Sequence, residues 1–295
     1  IWATILVVYA IKEGKKGAKS ASKYLCGIAS ALCVVFMTFV WTYSSGYHTT
    51  TLDKKLNIDR ENISAQELYE TATWLTDNIN ALAPEILYGE DGASIMNYSY
   101  SEMSSKICNS YDKFVSEYPI LINFDSKIKP IVLSEPFTYT HISGVYTFMT
   151  GESNVNVNYP DFIVASTAAH GLAHQRGIAR EEEANFVAFM VCILSDDPYL
   201  QYSGYLDVYS DVMNALYSAD KELYSAVSAR LCVEAKRERA SYSKFFKKYA
   251  DSKTSEISNS INDSFLQANG QEQGKKSYGM VTDLTVAYYK AKIKS

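Results

Sequence analysis

Along the chain, apolar and polar residues fall into three regimes. The first is continuous: from Tyr24 to Leu52 there is no Lys, Arg, Asp or Glu. Its centre, "YLCGIASALCVVFMTFVWTYSSG", covers residues 24–46, 23 in all, and a bilayer-spanning helix needs about 20. Trp41 and Tyr43 near its end suit the membrane interface. The second regime is helical periodicity. Ser64 and Glu67 spell a capping box ahead of "LYETATWLTDNINAL", which predicts a helix from about 65 to 82 that stops near Pro84. A second helix is expected over 100–117, and others over 205–220, 221–250 and the closing "MVTDLTVAYYKAKI". The third is alternation. In "SGVYTFMTGESNVNVNYP", 143–160, Val155 and Val157 alternate with asparagines between Gly and Pro, which reads as one or two short strands.

Two further segments complete the pattern. "DFIVASTAAHGLAHQR" is helix-compatible up to Gly177, and a second helix should start near Glu181 and run to Asp196-Asp197-Pro198. "DSKTSEISNSIND" reads as a polar loop or a helix start, and "NGQEQGKKSYG" as a turn-rich loop. The fold class is therefore mainly α, of the α+β kind.

Charge then sets the topology. Lys12, Lys15, Lys16, Lys19 and Lys23 precede the apolar run and mark the cytoplasmic side. The expected organisation is the end of a transmembrane helix over 1–11, a basic cytoplasmic loop over 12–23, a transmembrane helix over 24–46 and an extracytoplasmic domain over 47–295. A signal peptide with a basic leader is the competing reading, opposed by the apolar residues ahead of the lysines. A net charge of −5 and no basic face interleaved with aromatics exclude a nucleic-acid partner. The five cysteines contain no C-x-x-C pair, so they support neither a disulfide framework nor a cysteine zinc site.

Candidate chemistry concentrates in "AAHGLAHQRGIAREEEANF", 168–186. His170 and His174 are four apart, which places both imidazoles on one helix face and lets both reach one zinc ion. Glu181 follows seven residues later and on an unbroken helix would lie about 10 Å further along the axis. Gly177 can end the helix in a left-handed conformation and let the chain reverse. Glu181 is then the preferred third ligand, with Glu183 in reserve, because three consecutive glutamates point to three sides of a helix. Asn185 shares the face of Glu181 and is expected to hold the second ring nitrogen of a ligand histidine. An acidic first turn favoured by the helix dipole accounts for the glutamates equally well.

"HGLAHQRGIAREEEANF" resembles the zincin metallopeptidases, in particular the gluzincin pattern of H-E-x-x-H followed by E-x-x-x-N. Together with "FVWTYSSGYH", "GVYTFMTGESNVNVNYP", "DDPYLQYSGYLDVYSDVMNALY" and "LQANGQEQGKKSYGMVTDL", it is similar to a bacterial membrane family, domain of unknown function 3810. The resemblance covers nearly the whole chain from about residue 30. It implies a zincin-like domain on membrane helices in a bacterial cell membrane, one Zn2+ ion, and an extended peptide paired along a β edge strand at 153–159.

One position departs from the pattern. Zincins carry their general base directly after the first histidine, and this chain has Gly171. Loss of a general base is worth roughly 10²–10⁴ in rate. Glu152 is the possible substitute acid, and Tyr202 and Tyr205 are possible oxyanion donors, with a structural role open for each. The expectation is a metallopeptidase-like protein impaired or atypical in catalysis. The alternative is a non-catalytic zinc- or peptide-binding scaffold of the cell envelope.

Overall fold

The computed structural model describes residues 12, 14–60, 63–250, 252–269, 271 and 280–294. The chain divides into two compact units, Ile1–Ser45 and Gly46–Ser295. The first unit is dominated by helix α1, Gly14–Thr42. The stretch Lys19–His48 contains an 18-residue apolar segment of mean hydropathy 2.1, none of it buried, so it is long and apolar enough to cross a membrane. The segment 12–23, expected as a loop, is helical from Gly14. Lysine, alanine and serine tolerate a helix, and the long apolar run carries it back through them. The apolar segment 1–11 lies outside the described residues. Cys26 and Cys33 are exposed on α1 and not buried; Cys108 and Cys192 are buried, Cys232 partly so.

The second unit is mainly helical with one small sheet. After the short α2, Leu52–Leu56, comes α3, Ala65–Leu82, started by a complete Ser64–Glu67 capping box. Helix α4, Tyr100–Glu117, is capped by the Ser99 side chain. Strand β1, Lys129–Pro130, and the short α5, Ser134–Thr138, lead to strands β2, Gly144–Thr147, and β3, Glu152–Val155. Helices α6, Asp161–Gln175, and α7, Glu181–Ile193, follow as a pair. Beyond them are α8, Pro198–Ala219, α9, Lys221–Arg230, α10, Val233–Lys247, α11, Lys253–Ala268, and α12, Val281–Tyr288.

Several boundaries differ from the sequence pattern. Helix α8 begins at Pro198 and not near 205, because the Asp197 side chain accepts from the Leu200 N–H and proline suits the first helical position. The expected 221–250 helix is broken at the extended Leu231. Most of the turn-rich "NGQEQGKKSYG" lies outside the described residues.

The sheet has the order β1-β3-β2, with β3 parallel to β1 and antiparallel to β2. The strand expected at the edge is therefore the middle one, and residues 156–159 lie beyond it. Its two sides are taken by β1 and β2, so the outer edges of the sheet belong to β1 and β2. Helices α6 and α7 sit at the centre of the unit, packed on each other and on α8, while β2 and β3 lie on α6. Both helices are buried nearly all round. In α6 the run Ala165, Ala168, Ala169 and Ala173 is fully buried, and its small side chains admit close neighbours.

Candidate metal centre

The turn between α6 and α7 builds the site. Gly177 has a φ of 93°, a left-handed conformation open to glycine. Its N–H donates to the His174 carbonyl at 3.0 Å, and the Ile178 N–H donates to the Ala173 carbonyl at 3.2 Å, closing the end of α6. Arg176, buried at that end, stacks over Tyr111 at 4.1 Å and donates to the Phe124 carbonyl at 2.7 Å. The chain reverses and delivers Glu181 in the first turn of α7.

Glu181 Oε2 then lies 3.3 Å from His170 Nε2 and 3.4 Å from His174 Nε2. Ligand atoms of these three residues all lie within 4.8 Å of one another, so they form a group that could hold a metal ion. The imidazoles are perpendicular, with centroids 4.5 Å apart. His174 Nδ1 is 2.7 Å from the Ile178 carbonyl; as the donor there, it leaves Nε2 a lone pair towards Glu181. One turn thus positions both the carboxylate and the ring. Asn185 lies close enough to His170 for its amide to favour the protonated ring, although His170 Nδ1 is buried without a hydrogen bond of regular geometry.

Electrostatics follow from burial. Burial holds the His170 pKa below its usual value, helped by the neighbouring His174. Burial pulls the same way at His174, but the Glu181 charge outweighs it and raises that ring. Glu181 itself stays far below the usual carboxylate range, since His174 and His170 outweigh the opposing effect of burial. The carboxylate is therefore ionised at neutral pH and ready to bind a cation.

A family model described as "Protein of unknown function (DUF3810)" matches residues 1–286. The chain belongs to that family. No curated protein and no solved structure matches it.

In this DUF3810 protein the three consecutive glutamates have separate tasks. Only Glu181 joins the histidine pair. Glu183 accepts the Leu52 N–H at 2.8 Å and pairs with Arg180 at 3.2 Å, tying down the segment that enters the domain. Glu182 accepts from Gln271 at 2.6 Å, and burial raises its pKa. Glu152 forms an ion pair with Lys129, whose hydrogen bond lowers its pKa, so it is a weak base as placed. Tyr202 is fully buried with its hydroxyl 3.5 Å from Glu238, and burial raises its pKa. Tyr205 packs edge-on against Trp74 and Phe189, and burial pushes it up to about 12.

Two neighbours of the group are legible only from strand pairing. Tyr146 and Ser153 stand opposite each other across β2 and β3, hence on one face of the sheet. Tyr146 stacks on His174, with centroids 6.1 Å apart and planes 29° from parallel. Ser153 lies against Gly171. A Cβ at position 171 would fall well inside contact distance of Ser153 Oγ and 3.2 Å from Ser153 Cβ. The missing side chain leaves room for Ser153 of strand β3 to lie closely on helix α6.

Proposed function

We propose that this DUF3810 chain is a membrane-anchored zinc protein of peptidase-like, gluzincin-type architecture, in which the usual glutamate-base route to hydrolysis is closed at position 171. The observation that carries the reading is the convergence of two imidazole nitrogens on one Glu181 oxygen, at 3.3 and 3.4 Å. Two nitrogens and a carboxylate oxygen suit zinc and match the three-ligand pattern of catalytic rather than structural sites. His170, His174 and Glu181 would hold the ion, Ile178 and Asn185 would orient the two rings, and α1 would anchor the domain outside the cytoplasm. When bound, zinc supplies Lewis acidity towards a carbonyl or a water molecule. An extended peptide would pair along the outer edge of β2, Gly144–Thr147, and pass over Tyr146.

A second reading is favoured by the Ser153–Gly171 contact: a scaffold that binds zinc and peptide without cleaving it. Both readings share the metal, so the first experiment is zinc analysis of the full chain purified in detergent micelles. About one zinc per chain is expected, lost in His174→Ala and Glu181→Gln and retained in Glu183→Gln. A zinc-free native chain, or one that keeps zinc without Glu181, overturns both. Peptide cleavage above the metal-free background then selects the enzyme over the scaffold.

A further inference from the structure

Beside the histidine–glutamate group lies a cavity of about 230 Å³, and His170 and Asn185 form part of its wall. Helix α8 forms another part, through Asp207 and Asp211. They are four residues apart and so share one helix face. Among the described residues, neither carboxylate forms an ion pair. No lysine or arginine among the described residues lines the cavity. Burial pushes Asp207 up to about 6 and Asp211 up to about 7, the latter helped by repulsion from Asp207. The Ser166 hydroxyl offsets part of this effect at Asp207. Two like charges held together without a counter-ion oppose folding.

The remaining wall mixes aromatic rings with the hydroxyl residues Ser143, Ser166 and Thr167 and with aliphatic side chains. Tyr242 and Phe246 come from α10, and Tyr159 precedes α6. Tyr159 is only 5% exposed, yet its hydroxyl is buried with no hydrogen-bond partner. The other titratable ring on the wall, His141, is already engaged by the Tyr249 carbonyl at 2.6 Å. The cavity therefore offers two carboxylates as acceptors, neutral hydroxyls and aromatic faces. That combination suits an ammonium or guanidinium group on an apolar stem, held by charge-assisted hydrogen bonds and cation–π attraction. A hard divalent cation would ask for six or more oxygen ligands and no aromatic wall.

We propose that this cavity receives the cationic side chain, lysyl or arginyl, of a peptide whose backbone lies at the His170–His174–Glu181 centre. The peptide part rests on the function proposed above; the cation site stands on the cavity alone.

The test is thermal unfolding of the full chain in detergent micelles with n-butylamine, agmatine and 1-butanol. Capped tripeptides carrying lysine or norleucine at the middle position are added as a second arm. Amines and the lysyl peptide should raise Tm by about 3–6 °C at ten times their Kd. The alcohol and the norleucyl peptide should leave it unchanged. Asp207→Asn/Asp211→Asn, which removes buried charge and should fold at least as well, is expected to lose the response. His174→Ala breaks the metal centre and should keep it; a native chain that holds no zinc yet responds to amines sinks the metal reading alone. Equal shifts with alcohol and amine, an undiminished response in the double variant, or a shift with Ca²⁺ and none with amines would overturn the cation site. A response to free amines without one to the lysyl peptide would overturn the peptide assignment.

Discussion

Gly171→Ala isolates the contact on which the reading of catalysis turns. In an open helix interior this change stabilises by about 1 kcal/mol, because alanine is the better helix former. Here the added methyl meets Ser153. The hydroxyl can rotate away, but Ser153 Cβ remains 3.2 Å from the new carbon, and β3 is held between β1 and β2. Forcing a methyl group into such packing costs about 1–3 kcal/mol. The net expectation is a loss of up to about 2 kcal/mol. In a Ser153→Gly background the obstruction is gone, and the same change should be neutral or stabilise by up to about 1 kcal/mol. The two positions should thus couple by roughly 2 kcal/mol, well beyond the ~0.5 kcal/mol scatter of independent sites. Urea unfolding of the four proteins of this cycle in micelles measures it. If Gly171→Ala matches or exceeds the native chain with Ser153 present, the serine yields freely and the glycine is not a packing requirement. The same cycle carries over to chemistry. Gly171→Glu alone should not improve peptide hydrolysis, whereas Ser153→Gly/Gly171→Glu should, by up to roughly 10²–10⁴, the usual worth of a general base.

Glu238 is 1% exposed and burial pushes it up to about 7, against 4.5 for a free glutamate. The folded state then carries an unfavourable charge above pH 7 that is relieved as the pH falls towards 4.5, so stability should rise on acidification from pH 8 to 5. The 7 − 4.5 difference corresponds to about 3 kcal/mol at most. Asp207 and Asp211 act in the same sense, and Glu238→Gln should flatten, though not abolish, a plot of Tm against pH; an unchanged slope would rule Glu238 out as a source. Gly177→Ala meets no neighbouring atom, so its cost is the left-handed backbone alone, about 1–2 kcal/mol. Zinc affinity should fall with it, because the same turn presents Glu181, and Gly177→Asn should lose less of both; calorimetric zinc titration showing native affinity in the alanine variant would separate the turn from the site.

What could be read in advance was local. The α3 helix announces itself through Ser64 and Glu67, and the histidine pair with its reversing glycine requires only 3.6-residue geometry and the freedom of Gly177. Signals that serve two purposes were ambiguous: Asp197-Pro198 reads as a helix stop, yet a capping aspartate followed by proline is also a helix start, and α8 uses it so. Long-range pairing was invisible. Near Glu181 and Glu183 only Asn185, on the face of Glu181, hints at which one joins the histidines; the Leu52 N–H that engages Glu183 lies 131 residues before it. Strand β3 looked like an edge since its partner β1 is two residues long and has no alternation to detect. Asp207 and Asp211 carried a usable signal, two acids at helical spacing on a helix otherwise turned inward, but only the cavity gives it meaning.

Gly171 shows the limit most sharply. From the sequence it is a missing base, a statement about chemistry. In the fold it is a statement about packing, made jointly with a serine eighteen residues upstream on another element. Each residue alone is uninformative, since serine in a strand and glycine in a helix both have ordinary explanations. Together they couple the two elements: a side chain at 171 requires the Ser153 hydroxyl to turn away and its Cβ to give slightly, so a glutamate base at this centre depends on strand β3 as well as on helix α6.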